Sequence, residues 1–327
     1  MKTLLVGYKA ADLDRRFLAK CGEVTCHVLD IYHRHAIEKT HHVKAVCSPH
    51  LPEGEWDRIL LRTGPKLMSG ELALDLLQEC RRVAGPGREN AVEVDFVGRE
   101  RDRNDLVSKV FGKDARERSF AAKYTASVPG AKPISLVSYP GCFCHRRTDE
   151  GGLALAETAV RLLREDAAAS AASAGGEGAS AASGEGSRAL RLLDMGCGNG
   201  LVAFLVASAV DGVAPVLVDS HSRAVEAARE NAAALGIDAE IILADNGTPQ
   251  RLDGTFDVFV GNPPYYSEYR IAEVFCETAR RALKPGGLCL LVCKNEAGLR
   301  PVVANYFDAI ETIPRRGYAV LRAVKGG

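Results

Sequence analysis

Asn262-Pro-Pro-Tyr265 is the stretch of this chain best equipped for chemistry. Two consecutive prolines stiffen a turn and remove two amide donors. What remains is a set of acceptors, the Asn262 side-chain oxygen and the Pro263 carbonyl, with Pro264 and the Tyr265 ring beside them. Such a loop suits a planar NH2 group whose lone pair is delocalised into a ring or a carbonyl. Accepting both hydrogens favours a pyramidal nitrogen and aligns it with an electrophile, so positioning supplies much of the rate and no strong base is needed before attack. Tyr265 offers a face on which a flat substrate can stack, as enzymes acting on extruded bases require. Asn262, Pro263 and Tyr265 are therefore the expected residues of the reacting centre, and Pro264 and Tyr265 the expected substrate contacts. A proline-rich turn carrying a surface tyrosine is the plain alternative.

A second loop, Leu192-Leu-Asp-Met-Gly-Cys-Gly-Asn-Gly200, joins an apolar run to a helical one. Its glycines permit positive φ and let a ligand approach the backbone closely. In α/β folds such a loop lies at the carboxyl end of a strand, where ligands bind. Alone it fits a dinucleotide or a structural turn about as well. Asp219, at the end of the next apolar run, can accept both ribose hydroxyl protons, and Asp245-Asn246 after the third can accept from an adenine amino group. A nicotinamide site would share the glycines and Asp219 but leave Asn262-Pro-Pro-Tyr265 unexplained. S-adenosylmethionine accounts for both loops, because its sulfonium methyl is the electrophile that a positioned amine needs. The expected cofactor contacts are Asp194, Gly196, Gly198, Asn199, Gly200, Asp219, Ser220, Asp245, Asn246 and Asn262.

These loops need a scaffold that brings strand ends together. Strands are predicted at 190–194, 214–219, 240–244, 256–260 and 288–293, with helices at 200–210, 223–235 and 271–283, the last closed by a Lys284-Pro-Gly-Gly287 turn. Continuous apolar runs suit strands buried on both faces of a parallel sheet, and their alternation with helices argues a doubly wound, Rossmann-like α/β fold. The first half echoes this order. Thr3 to Gly7 matches Leu192 to Gly196, Val28-Leu-Asp30 falls at the separation of Leu217-Val-Asp219, and Trp56 to Leu61 mirrors Phe256 to Val260. A helix over 68–83 and a strand over 91–97 follow. An internal duplication is inferred, with residues 1–115 as a degenerate copy and 116–327 as the catalytic domain. The first copy has Gly7-Tyr-Lys-Ala-Ala11 for the glycine loop and Arg62-Thr-Gly-Pro-Lys66 for the proline loop, so it is expected to bind no cofactor. Glu165 to Ser187 is almost wholly Ala, Ser, Gly and Glu, with no branched apolar or aromatic residue, and is read as a flexible insertion. A frayed alanine-rich helix is the competing reading.

With these residues in view, the chain resembles the ribosomal RNA guanine-N2 methyltransferases of the methyltransferase small-domain group, the small-subunit type above all. Members pair a degenerate methyltransferase-like domain with an active one, so the resemblance covers nearly the whole chain. Tyr139-Pro-Gly-Cys-Phe-Cys-His145 with Asp149 to Leu155 looks like the Pro-Gly-x-Phe segment that precedes the family's glycine loop. Leu193 to Gly200 and Asn262 to Tyr265 look like its cofactor and catalytic signatures, and Arg316 to Val324 like its closing strand. The resemblance implies a class I S-adenosylmethionine-dependent enzyme acting on ribosomal RNA or a ribosomal subunit. Members usually carry Phe at the position of Tyr265. Tyrosine there is common in enzymes acting on adenine N6 or protein glutamine, so those acceptors, or a small-molecule amine, stand as the alternative. The intact glycines and Asn262 argue against a non-catalytic RNA-binding module.

Bulk properties set the outer bounds. The 327 residues are 46% hydrophobic, enough for two domains. Lys plus Arg and Asp plus Glu are both 42, so there is no strongly basic coat for nucleic acid. The basic clusters His33 to His35, Arg99 to Arg103, Arg146-Arg147 and Arg315-Arg316 are ordinary solvated surface when taken singly. Charged residues interrupt the first apolar run too early for a secretory signal, and no run is long enough to span a membrane. Ten cysteines then point to reduced thiols in a cytoplasm. Cys26-His27 and Cys142-Phe-Cys144-His145 lack regular zinc spacing, so no metal is expected and the thiols read as small packing groups. A monomer is expected.

Overall fold

The computed structural model describes residues 1–174, 189–264 and 269–327. Tyr265 and most of the Ala/Ser/Gly stretch lie outside the described residues. The chain divides into two compact units. The first is Met1–Ala122 with Ser138–His145 and Ser220–Glu226; the second is Lys123–Val137, Arg146–Asp219 and Ala227–Gly327. The division departs from a single cut at 115/116, because two later segments belong to the first unit.

The first unit runs β1 (Lys2–Val6), α1 (Arg15–Ala19), β2 (Glu23–Val28), α2 (Ile31–His41), β3 (Lys44–Cys47), β4 (Arg58–Thr63), α3 (Gly70–Ala84), β5 (Val92–Phe96) and α4 (Glu100–Phe111). Its strands pair in parallel in the order β3-β2-β1-β4-β5. Alternation along each strand feeds two cores: Leu4, Val6, Ile59 and Leu61 enter one, Leu5 and Leu60 the other. Helix α3 closes the first core with Ala73, Leu76, Leu77 and Cys80, which share one face at helical spacing. Its start is fixed by Ser69, whose side chain accepts from the Leu72 amide.

The rest of the chain runs β6 (Ala122–Ala126), β7 (Ile134–Ser138), α5 (Glu150–Ala174), β8 (Leu190–Met195), α6 (Leu201–Ala209), β9 (Val213–Asp219), α7 (Ser222–Leu235), β10 (Glu240–Leu243), β11 (Phe256–Gly261), α8 (Arg270–Ala282), β12 (Leu283–Cys293), α9 (Glu296–Ala304), β13 (Ile310–Arg315) and β14 (Tyr318–Val324). The main sheet has the order β10-β9-β8-β11-β12-β14-β13, parallel through β12 and antiparallel beyond. Its first five strands repeat the order of the first unit, as an internal duplication requires. The fold is Rossmann-like α/β. Helix α6 is apolar on all sides and its residues from Leu201 to Val206 are buried. Helix α8 is amphipathic, burying Ala272, Phe275, Cys276 and Ala279 on one stripe.

Two elements differ from expectation. Helix α5 continues to Ala174, so Glu165 to Ala174 is helical rather than loop. Alanine's high helix propensity prolongs a helix already anchored by its buried first turns. The Lys284-Pro-Gly-Gly287 turn is absorbed into β12: Phe256 pairs with Leu283 and Val258 with Leu288, so Lys284 to Gly287 stand opposite Asp257 alone. That is a bulge, held by the Lys284–Asp257 ion pair.

Strand register gives the equivalent positions in the two sheets. Val6 pairs with His27 as Met195 pairs with Val218, so Val28, not Asp30, stands where the second copy has Asp219. Equal spacing in sequence was therefore two residues out of step. Asp30 caps α2 through the Tyr32 amide and accepts from Ser220 Oγ at 2.9 Å. Leu61 pairs with Val6 as Gly261 pairs with Met195, which places Arg62 at the register of Asn262. Arg62 is ion-paired with Asp95 at 2.6 Å and Asp12 at 3.1 Å. Tyr8, buried after Gly7, stacks on Phe17 and donates to Asp95.

Candidate functional site

In the second unit the β8–α6 loop turns on three glycines. Gly196, Gly198 and Gly200 have φ of +68°, +56° and +88°. A Cβ at Gly196 would lie 2.8 Å from Phe275 and one at Gly200 2.1 Å from Phe204, so both are needed for packing. A Cβ at Gly198 would meet nothing within 4 Å, which marks the open side of the loop. The Gly196 and Cys197 amides donate to the Val218 carbonyl at 2.8 and 3.1 Å, tying the loop to the end of β9.

Asp219 is the last residue of β9 and is half-buried. Its Oδ2 accepts from the Gly198 amide at 2.8 Å, so the carboxylate is held against the open side of the loop. Asp245 and Asn246 follow β10, one strand further along the same edge, and are half-buried and exposed. The Ala244 amide donates to the Asp219 carbonyl at 3.0 Å, which fixes the spacing of the two acidic loops. An open glycine, a fixed carboxylate and a second acidic loop thus share one edge of the sheet, a lining whose chemistry suits an adenine nucleoside.

Three expected cofactor contacts are placed otherwise. Asp194 is 2% exposed, and its Oδ2 accepts from the Ala203 amide in the first turn of α6 at 3.1 Å. Burial pushes its carboxyl up to about 7; the Ala203 amide opposes the shift and the nearby Asp219 charge adds to it. Asp194 therefore steadies the loop from behind. Asn199 is turned inward: its Nδ2 donates to the Val137 carbonyl at 2.8 Å and the Tyr124 hydroxyl at 3.0 Å, and its own carbonyl accepts from Asn231. Ser220 belongs to the first unit and donates to Asp30.

Asn262 follows β11. Gly261 pairs with Met195, so Asn262 emerges beside Gly196 at the carboxyl edge of the sheet. Its Nδ2 donates to Asp149 Oδ2 at 2.8 Å. Pro263 is buried and Pro264 half-buried, while Tyr265 lies outside the described residues. Asp149 is a residue that motif reading passed over within the segment before α5. The signal available was an Asp one residue ahead of a helix, the pattern of an N-cap. Tyr318, at the start of β14, also comes close to this corner: its ring would lie 3.1 Å from a Cβ placed on Gly151, and the Lys294 ammonium lies 5.1 Å from the ring centroid. Of the basic pair at the β13–β14 turn, Arg316 is bonded to Glu157 at 2.7 Å and Glu150 at 2.9 Å.

Eight of the ten cysteines are buried, and Cys47 and Cys144 are half-buried. Burial pushes the Cys26 and Cys276 thiols up to about 12 and Cys293 up to about 11. Cys197 is buried with its Sγ toward the Gly198 carbonyl. Among the described residues no three His, Cys, Asp or Glu side chains are grouped to hold a metal ion, and no helix is long and apolar enough to cross a membrane.

Residues 133–322 match the family described as "Methyltransferase small domain". The ribosomal RNA small subunit methyltransferase C of Stutzerimonas stutzeri is 28% identical over 201 residues, which are 59% of this chain and 52% of that protein. The ribosomal RNA large subunit methyltransferase G of Ectopseudomonas mendocina is 27% identical over 290 residues, 86% of this chain and 75% of that one. The chain thus spans about half the length of the first relative and about three quarters of the second. Among solved structures, a T. thermophilus 16S rRNA N2 G1207 methyltransferase in complex with AdoMet and guanosine superposes with a TM-score of 0.74 over 99% of this chain and 88% of that one. At 19% identity, that likeness speaks to the fold.

Proposed function

The chain belongs to the methyltransferase small-domain family, and from that premise we propose that it transfers a methyl group from S-adenosylmethionine to guanine N2 of ribosomal RNA. The observation that carries the proposal is the register of β11 on β8, which sets the Asn262 amide beside the glycine loop. Bound S-adenosylmethionine supplies a methyl on a sulfonium sulfur, an electrophile that needs no further activation. Gly198 gives the cofactor an open approach to the backbone, Asp219 accepts from ribose hydroxyls, and Asp245 and Asn246 flank the adenine. Asn262 Oδ1 and the Pro263 carbonyl accept the two hydrogens of the guanine amine, drawing its lone pair out of conjugation and toward the methyl. The motif holds no strong base, so the proton leaves after attack, when the amine has become acidic. No cysteine lies in Asn262-Pro-Pro-Tyr265, which argues against a covalent intermediate.

The substrate is tested by radiolabelled methyl transfer to naked RNA, to both ribosomal subunits and to protein from a strain lacking the gene, with nucleosides identified by mass. Both subunits are needed because the relatives' names divide between small and large. N2-methylguanosine is the expected product. N6-methyladenosine or methylglutamine would keep the chemistry and move the substrate, as Tyr265 would suit. A methyl on carbon would overturn the mechanism.

Calorimetry tests the cofactor site. Titration with S-adenosylmethionine is expected to give one site per chain, because Tyr8, Val28 and the paired Arg62 occupy the equivalent places in the first unit. Asp219→Ala is expected to weaken binding by about 1–3 kcal/mol, the scale of a lost charge-assisted hydrogen bond. Two sites per chain would contradict the degenerate reading, and full affinity in the variant would remove Asp219 from the site.

A further inference from the structure

We propose that Asp149 is a positioning residue that decides which end of the Asn262 side chain faces the acceptor amine. The proposal rests on the reading of Asn262 given above. A carboxamide has two ends of nearly equal shape and opposite polarity, an acceptor oxygen and a donor NH2. With the oxygen forward, Asn262 accepts from an amine. Turned by half a rotation about its last bond, it presents donors to donors and repels the same substrate. The covalent structure of Asn262 does not choose between these states, so a neighbour must.

Asp149 is suited to choose. An ionised carboxylate only accepts, so it can bond the Nδ2 end of Asn262 and not the oxygen. Asp149 Oδ2 takes Asn262 Nδ2 at 2.8 Å and the Gly152 amide at 2.9 Å, and Oδ1 takes the Gly151 amide at 3.0 Å. Two backbone amides at the start of α5 pin the carboxylate. The carboxylate therefore cannot swing aside to let Asn262 turn over. The glycines complete the arrangement. A Cβ on Gly151 would lie 3.3 Å from Asn262 Nδ2 and 3.1 Å from the Tyr318 ring, and one on Gly152 would lie 3.0 Å from Asp149 Oδ2. Gly151 thus leaves room for the Asn262 amide and the Tyr318 ring, which a plain N-cap would not demand, and Gly152 leaves room for Asp149 and Leu201.

Asp149→Asn leaves one acceptor oxygen where the structure uses two, so one of the Gly151 and Gly152 amides loses its partner; with the NH2 in the place of Oδ2 it donates to the Asn262 oxygen and holds the amide the wrong way round. The Asn262→Ala background and the exchange variant separate that effect from the lost cap bond. With the 327-residue chain and ribosomal subunits from a strain lacking the gene, Asp149→Asn is expected to lower kcat by about 10- to 100-fold, with the S-adenosylmethionine Kd little changed and a modest drop in melting temperature from the amide left without its partner. In an Asn262→Ala background the same substitution should cost nothing further, since Asp149 acts through Asn262. The exchange Asp149→Asn with Asn262→Asp should recover at least tenfold over Asp149→Asn, because a carboxylate at 262 presents an acceptor either way round. Wild-type kcat in Asp149→Asn, losses that multiply in the Asn262→Ala background, or no recovery on exchange would each overturn the proposal. Wild-type turnover in Asn262→Ala alone would instead refute the underlying reading of Asn262.

Discussion

Asn262→Ala is expected to lower kcat by about 10²–10³-fold, the loss seen when one preorganised polar partner of a transition state is removed, while the S-adenosylmethionine Kd moves by less than about threefold. The asymmetry follows from position. On the proposed reading the cofactor is held chiefly by the β8–α6 loop, Asp219 and the loop after β10, and the bonds that tie these together do not pass through Asn262, for all that Asn262 is also an expected cofactor contact. On that reading Asn262 contributes an acceptor that matters most as the amine loses conjugation, so its removal is expected to fall on turnover rather than on ground-state binding. The truncation is also mild structurally. Asp149 keeps both of its backbone amides, and β11 is anchored by buried Val258, Phe259 and Val260. Single-turnover rates on unmethylated ribosomal subunits, with cofactor affinity by calorimetry, make the test. Unchanged single-turnover chemistry would show that the amide is not at the reacting centre. A loss confined to cofactor affinity would assign Asn262 to the cofactor site alone.

Much of this arrangement was legible because the physics was local. The strands of the second sheet are nearly continuous apolar runs, since both their faces are covered: Leu192 and Leu193 enter opposite cores, as do Leu290 and Leu291. Loops at the ends of such strands fall on one edge by topology alone, so the glycine loop, Asp219, Asp245 and Asn262 could be grouped without coordinates. What escaped depends on contacts distant in sequence. Asn199 looks like a loop residue facing a ligand, but its amide is taken by Val137 and Tyr124, far upstream. Asp194 ends up buried because α6 starts directly above it. The two-residue offset between Asp30 and Asp219 appears only in strand register, which spacing within one strand does not reveal. The short segments Ser138–His145 and Ser220–Glu226 belong to the first unit through contacts no linear boundary anticipates: within that unit Arg223, 2% exposed, bonds Asp75 at 2.6 Å and the Pro49 carbonyl at 2.9 Å.

Acid is expected to destabilise the first unit at a pH above that at which ordinary carboxylates titrate. His27 on β2 is 1% exposed and its Nε2 lies 2.9 Å from the Ser48 carbonyl, which can only accept, so that nitrogen carries the proton of a neutral ring. Burial pushes its pKa down to about 4. His221, in a segment of the same unit, is also driven down to about 4 by burial, with the Asp30 charge opposing and Arg223 adding to the effect. An unfolded histidine titrates near about 6.5. Below that value the unfolded chain binds protons that the folded unit refuses, so stability is complete above about pH 6.5 and declines until the folded pKa near 4 is reached. At pH 5 each histidine then costs about 2 kcal/mol, or about 4 kcal/mol together. His50 works in the other direction: burial alone would lower its pKa, but the bond to Glu79 and the carboxylate charges outweigh it and raise it, so this residue stabilises the unit as pH falls. His33, lowered chiefly by burial, adds to the loss while His50 offsets it, so the two buried rings set its scale. Trp56, the single tryptophan, lies in the first unit and gives a fluorescence signal for its urea transition. Comparing unfolding free energies at pH 7 and pH 5 should show the drop, and His27→Gln should remove about half of it, since the glutamine amide can donate to the Ser48 carbonyl without titrating. An unaltered pH dependence in that variant would mean that His27 is not the group through which acid acts.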